Sequence, residues 1–209
     1  MKGLRPRGRR GIHTAAAIAF TTTALALLAK VAASPSAPPA APRSVLAGPS
    51  DPSPRPPQGG VPALPASQPE RIDIPEIGLT AKIVSVGTAE GGTIAMPTDA
   101  DQAGWYHGSP TPGEHGNTLV VGHLDSSNGP AAFYGLGALR NGDRITLTRH
   151  DRTKVTFTVT RMAVYPKGDF PSQSVYAPTL QPQLTLITCA DWDRSRKRYR
   201  SNLVVTGHL

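Results

Sequence analysis

The chain has 209 residues, with 21 glycines, 22 prolines, a single cysteine and a formal charge of +8. That length holds one domain of ordinary size plus a tail and excludes a multi-domain enzyme; one cysteine excludes a disulfide-stapled miniprotein. Neither proline nor charge is evenly spread. Thirteen prolines precede position 71 and nine follow it, while positions 1–30 hold six basic residues and no acid. From 71 onward, 14 basic residues stand against 12 acidic ones, so the excess charge belongs mainly to the tail. A phosphate-binding fold carries its positive charge on the folded surface, which argues against nucleic acid as a partner.

Within the tail, Lys2, Arg5, Arg7, Arg9 and Arg10 make residues 1–10 a basic cytoplasmic segment ahead of a charge-free run from Gly11 to Ala29. As a helix this run spans about 28 Å, close to the ~30 Å hydrocarbon core of a bilayer. Cations before the run outnumber Lys30 and Arg43 after it, an asymmetry that exports whatever follows. Residues 11–33 therefore read as a single-pass anchor in the cell membrane. The alternative is a cleaved signal peptide, because Val31-Ala32-Ala33 offers small residues near a cut, and a secreted product. Both place the domain outside the cytoplasm. Residues 34–70 carry 12 prolines in 37 positions and no apolar periodicity, so a disordered linker is expected. In polyproline II, at ~3.1 Å per residue, it reaches on the order of 100 Å. It is either a stiff spacer or a linker with no spacing role.

Residues 71–209 read as β structure. Arg71–Ile74 alternates until Pro75 breaks it, Leu79–Val84 resumes, and Thr118–Val121 is an apolar run of strand length. The turn dipeptide Asn141-Gly142 leads into Arg144–Thr148, and a loop at His150 into Lys154–Thr160. In that last strand Val155, Phe157 and Val159 share one face, a hairpin with one buried side. Leu184–Cys189 and Leu203–Leu209 supply two more strands. Pro130–Leu139, with Phe133, Leu136 and Leu139 every third residue behind a first-turn proline, is the one helix-like piece. Seven or so short strands with one short helix predict an antiparallel barrel or sandwich.

An unpaired cysteine in an exported protein is either a small buried hydrophobe or a reactive group. Cys189 ends the strand Leu184-Thr185-Leu186-Ile187-Thr188, where chains open into loops and sites are built. Behind it come Arg194, Arg196, Lys197, Arg198 and Arg200. A free thiol is only a few per cent thiolate at neutral pH, and nearby cations raise that fraction. A nucleophilic cysteine also needs an acid–base partner. Of six histidines, His123 in Val120-Val121-Gly122-His123-Leu124-Asp125 has the same placement as Cys189, just past a buried strand. Its bland alternative is a loop histidine bonded to Asp125.

Thr185-Leu186-Ile187-Thr188-Cys189, with Val121-Gly122-His123 upstream, resembles the TLxTC signature and histidine of the sortases. Gly122-His123-Leu124-Asp125, followed by Gly129-Pro130-Ala131 and Phe133-Tyr134, is most similar to class F sortases of actinobacteria, with class E the alternative. The resemblance spans residues 71–209. It implies an all-β sortase barrel of about eight strands with short helical connections, behind an N-terminal membrane helix. It also implies a cysteine transpeptidase: Cys189 attacks a Leu-Pro-x-Thr-Gly-like sorting signal of an exported surface protein, and the thioacyl group passes to an amine such as a peptidoglycan precursor. His123 would act as acid and base, and an arginine would steady the oxyanion. The family's Arg-x-hydrophobic-hydrophobic pattern falls on Asn202 here, and Arg200, two residues earlier on the same strand face, is the expected substitute. Arg198 shares that parity and is the reserve. Tyr199-Arg200-Ser201-Asn202 resembles a class F form of this region.

Asp125, Thr188, Ala190, Trp192 and Asn202 are weaker candidates for contact with substrate: Asp125 by orienting His123, Ala190 through its N–H, Trp192 at the groove. No cofactor is implied. Asp99, Asp101, Asp191 and Asp193 have neither EF-hand spacing nor a Cys/His cluster, so no metal site is expected. Two other readings stay open, an exported cysteine peptidase that hydrolyses the same bond and a non-catalytic β-domain with an inert thiol.

Overall fold

A computed structural model describes residues 62–209. The basic segment 1–10, the anchor or signal 11–33 and linker residues 34–61 lie outside the described residues. Among the described residues no helix is long and apolar enough to cross a membrane. Ten strands follow in chain order: β1 (Pro69–Ile74), β2 (Leu79–Val86), β3 (Ala103–Tyr106), β4 (Gly116–Gly122), β5 (Asp125–Ser126), β6 (Gly129–Pro130), β7 (Arg144–Arg149), β8 (Lys154–Pro166), β9 (Pro182–Asp193) and β10 (Arg198–His208). One helical turn, α1 (Ser172–Val175), lies between β8 and β9. Eight strands close a barrel in the order β1-β2-β3-β4-β9-β10-β8-β7, and β5 and β6 form a separate two-stranded ribbon. Closure comes from β1 on β7, with Ile72 opposite Leu147. The all-β barrel of eight strands is thus the architecture expected from the sequence.

Strand alternation sorts the side chains into two groups. Ile72, Ile74, Ile145, Leu147, Phe157, Leu184, Leu186 and Val205 point inward and are fully buried in the barrel core. Residues of opposite parity on β9 and β10, Ile187 and Val204, join Val86, Val121 and Val175 in a second cluster on the outer face. At about 25 cal/mol per Å2 of apolar surface, both clusters are sources of stability, but the outer one must be covered by loops to count.

The antiparallel expectation needs correction. β2 with β3 and β4 with β9 pair in parallel, while the other barrel pairs are antiparallel. Strand β3 is too short, at four residues, to register as a period in the sequence. The expected helix at Pro130–Leu139 is a 3-10 turn at Tyr134–Ala138, since Gly135 and Gly137 weaken a helix there. Its periodic residues still serve the core, with Phe133, Leu136 and Leu139 all buried.

Residues 62–70, read as the end of a disordered linker, are seated on the barrel instead. Leu64 N–H donates to Gly113 O at 2.8 Å, and Ser67 N–H to Thr111 Oγ1 at 3.0 Å. Gly113 has φ +91, and a Cβ there would lie 2.7 Å from the Leu64 side chain, so only glycine admits the segment. The clamp is Arg149, 1% exposed at the end of β7. Its guanidinium donates to Pro112 O at 2.7 Å, to Pro65 O at 2.6 Å and to the Asp151 carboxylate at 2.7 Å. Composition misses this because one buried arginine, not apolar periodicity, organises the prolines. Replacing Arg149 by Met leaves two carbonyls without their donor, so unfolding free energy falls by about 2–4 kcal/mol in a denaturant titration. The Arg149 bond, then the Thr153 N–H, hold the Asp151 carboxyl down to about 2. A lowered folded value gives stability present above the unfolded carboxyl range and lost as pH falls towards 2. Accordingly, Asp151→Asn should flatten the acid limb of the stability curve between pH 4 and pH 2, and an unchanged limb would refute the clamp.

Candidate active site

β4 is buried at all seven positions because β3 and β9 flank it and both its faces are covered, as its continuous apolar run suggests. Its parallel register with β9 sets Val120 opposite Leu186 and Val121 opposite Ile187. His123 and Cys189 each lie two residues beyond that last pair. Alternation returns each to the face of the residue two before it, so imidazole and thiol stand at one level on the outer face. The Thr188 hydroxyl donates to Gly122 O at 2.8 Å and ties the end of β4 to β9.

Glycine at 122 is required by packing. A Cβ there would lie 2.7 Å from the Phe133 ring. The Phe133 N–H in turn donates to His123 O at 2.9 Å, which fixes the backbone that carries the imidazole. His123 is half-buried, with Nε2 at 2.9 Å from Pro97 O. A carbonyl only accepts, so Nε2 carries a proton and Nδ1 is the nitrogen left to exchange one.

Below the pair, Val121, Ile187 and Val204 form an apolar floor. Ile94 and Ala95 from the β2–β3 connection and Phe170 and Tyr176 from the β8–β9 connection pack against it. Cys189 follows Ile187 of this cluster by two residues on β9. The thiol is half-buried, and Lys167 Nζ donates to Sγ at 3.4 Å.

Across β9 lies β10, with Asn202 opposite Cys189. Arg200 falls between the Tyr199–Trp192 and Ser201–Ala190 pairs, level with Asp191, whose φ of 57 departs from strand geometry. Strand parity gives Arg200 the face of Asn202 and Cys189. It is exposed and makes no hydrogen bond or ion pair among the described residues. Arg198 has the same parity one pair further out, opposite Asp193.

The weaker candidates divide. Asp125 accepts a very short hydrogen bond from Tyr199, so it braces the loop after His123 against β10. Burial, then the Asp125 carboxylate, raise the Tyr199 phenol above its ordinary range, which keeps it a donor. Trp192 packs on Tyr199 with ring centroids 4.9 Å apart and stays half exposed, a rim aromatic. Thr188 is buried with its hydroxyl engaged, so it serves the backbone and does not line an open groove. Ala190 is half-buried and packs towards the barrel core. Asp99 and Asp193 accept hydrogen bonds within their own turns, from Asp101 N–H and Gln102, and from Ser195 and Arg196. Among the described residues no three His, Cys, Asp or Glu side chains gather as a metal site. Sequence reasoning missed Lys167, Pro97 and the bond between Tyr199 and Asp125. Only Tyr199 had a signal, as part of the quoted Tyr-Arg-x-Asn stretch; a loop lysine and a loop carbonyl have none.

The Sortase domain family model matches residues 72–209. No curated protein sequence matches the chain. Among solved structures it is similar to sortase C1 from Streptococcus agalactiae, at 21% identity and TM-score 0.53, over 66% of this chain and 65% of that one. It is also similar to sortase A from Corynebacterium diphtheriae, at 23% identity and TM-score 0.52, over 69% and 61%. A third is a sortase D5 transpeptidase from Clostridium perfringens, at 21% identity and TM-score 0.51, over 66% and 76%. The chain thus spans less than two thirds of the length of the first two, and at these identities the likeness is one of fold. With the family model covering residues 72–209, from within β1 to the end of β10, the chain belongs to the sortase family.

Proposed function

We propose that the protein is an extracytoplasmic cysteine transpeptidase that cleaves a Leu-Pro-x-Thr-Gly-like sorting signal and transfers the acyl part to an amine of the cell wall. The observation that supports this reading is the β4–β9 register, which sets Val121 opposite Ile187, each two residues before His123 and Cys189. The class F likeness, with class E behind it, enters through Gly122-His123-Leu124-Asp125 and Tyr199-Arg200-Ser201-Asn202.

In this reading an extended peptide lies on Val121, Ile187 and Val204. Cys189 Sγ attacks the carbonyl of the scissile bond, and the Arg200 guanidinium donates to the oxygen as charge develops there. His123 gives a proton to the leaving nitrogen; the C–N bond breaks and a thioacyl group remains on sulfur. The incoming amine then loses its proton to His123 as its nitrogen forms the new amide bond, and the C–S bond releases the thiolate. Residues 11–33 would hold the enzyme at the membrane, or be removed on export.

Hydrolysis by the same centre is the second reading, favoured by the half-exposed thiol, which water also reaches. A fluorogenic sorting peptide with and without an amine acceptor separates the two: amide product supports transfer, and acid product alone opposes it. Cys189→Ala and His123→Ala should each abolish transfer with melting temperature nearly unchanged. A large loss of stability in either would make the residue structural. Arg200→Lys should also lower kcat/KM, because a planar fork and a point charge are not equivalent donors. A silent Arg200→Lys beside a damaging Arg198→Ala would move the role one pair outward. Tyr199→Phe removes the brace on the His123 loop while keeping the Trp192 contact, and should cost about 10-fold in kcat at unchanged melting temperature. Full activity in that variant would show the brace to be dispensable.

A further inference from the structure

We propose that the Lys167 ammonium is a second catalytic cation, donating a hydrogen bond to the Cys189 sulfur that steadies the negative charge it gains as its proton leaves; this rests on Cys189 being the nucleophile. Lys167 follows Pro166 at the end of β8. In the ladder Tyr165 is opposite Asn202 and Pro166 opposite Ser201, while Asn202 is opposite Cys189 on the far side of β10. Tyr165 thus lies two strand spacings from Cys189, about 10 Å, and Lys167 lies two residues beyond Tyr165, level with Arg200. Its long side chain nevertheless brings Nζ to 3.4 Å from Sγ.

The chemistry of the contact is directional. An ammonium has three donors and no acceptor, so it donates to sulfur, and a donor with full charge binds a thiolate more strongly than a thiol. No ion pair of the described residues involves Lys167, so no carboxylate competes for its charge.

The other charged or titratable groups around the thiol come from every neighbouring strand. His123 stands at the end of β4, Arg200 and Arg198 lie on β10, and Asp191 is two residues further along β9. Tyr199 remains protonated on Asp125, and Tyr165 of β8 is opposite Asn202. Of these, Lys167 is the cation in hydrogen-bond contact with sulfur, whereas Arg200 has no partner and is free to meet the substrate oxygen. The two cations divide the work. When the thiol proton passes to His123 Nδ1, sulfur keeps the electron pair and Lys167 donates a hydrogen bond to it without giving up its own proton. When the C–S bond forms, that hydrogen bond is released and Lys167 is unchanged.

The test is the rate of Cys189 alkylation by iodoacetamide in the full chain, for wild type, K167M and K167R, at pH 7 and pH 10. At pH 7 K167M should react about 3–10-fold more slowly, the effect of one unit charge at this distance in water-like surroundings. K167R should stay within about twofold of wild type. At pH 10, where ordinary free thiols are already mostly ionised, K167M and wild type should converge to within about twofold. K167M as fast as wild type at pH 7, or equally slow at both pH values, overturns the assignment: the first removes any effect of charge, the second makes it one of access. Wild-type acylation by a sorting peptide, measured alongside, separates the failures. If wild type acylates and K167M alkylates normally, only the role of Lys167 falls. If wild type neither acylates nor alkylates faster than a free thiol, the nucleophile falls with it.

Discussion

The parallel pairing of β4 with β9 is the constraint on which the rest depends. These strands are more than sixty residues apart in the chain, yet Val121 faces Ile187 and the Thr188 hydroxyl reaches Gly122 O. A slip of one residue would turn either His123 or Cys189 to the other face of the sheet. Burial on both faces prevents the slip. Leu184, Leu186 and Val120 must enter the barrel core, and Val121 and Ile187 must enter the outer cluster. Register is thus set by hydrophobic burial, and chemistry inherits it.

A second consequence concerns where polar groups stand. The outer face carries an apolar floor, and beyond it along β9 and β10 come Cys189, Asn202 and Arg200, with Lys167 from the end of β8 on the thiol. A thiol half withdrawn from water feels neighbouring charge more than one in bulk solvent does. The loops that pack against the floor are needed for that, and they are also what an extended peptide would meet.

Much of this was legible in the sequence, and for identifiable reasons. The strands that carry His123 and Cys189 are apolar runs, so their existence could be read directly; the end of β9 could not, because it runs four residues past Cys189 to Asp193 on pairing with β10, where the sequence suggests a loop. Arg200 shares strand parity with Asn202, a statement about alternation alone. What escaped was whatever depends on partners distant in sequence. The parallel pairings have no local signature, β3 is too short to have a period, and a buried Arg149 looks like any charged strand end. The same blindness hid Lys167, whose role comes from lying two strands away from the thiol. Residues 62–70 looked like linker because the hydrogen-bond partners of Leu64, Pro65 and Ser67 are supplied by residues from 111 onward, not by neighbours.

The central claim is that sulfur, imidazole and a cation share one groove so that the thiol becomes an acyl carrier. Intact mass of the protein after brief exposure to a Leu-Pro-x-Thr-Gly-type peptide tests it most directly. The account predicts a mass gain equal to the peptide up to its threonine, absent in Cys189→Ala and removed by hydroxylamine. A chain whose mass stays unchanged across a panel of such peptides, while its thiol remains titratable, would contradict it.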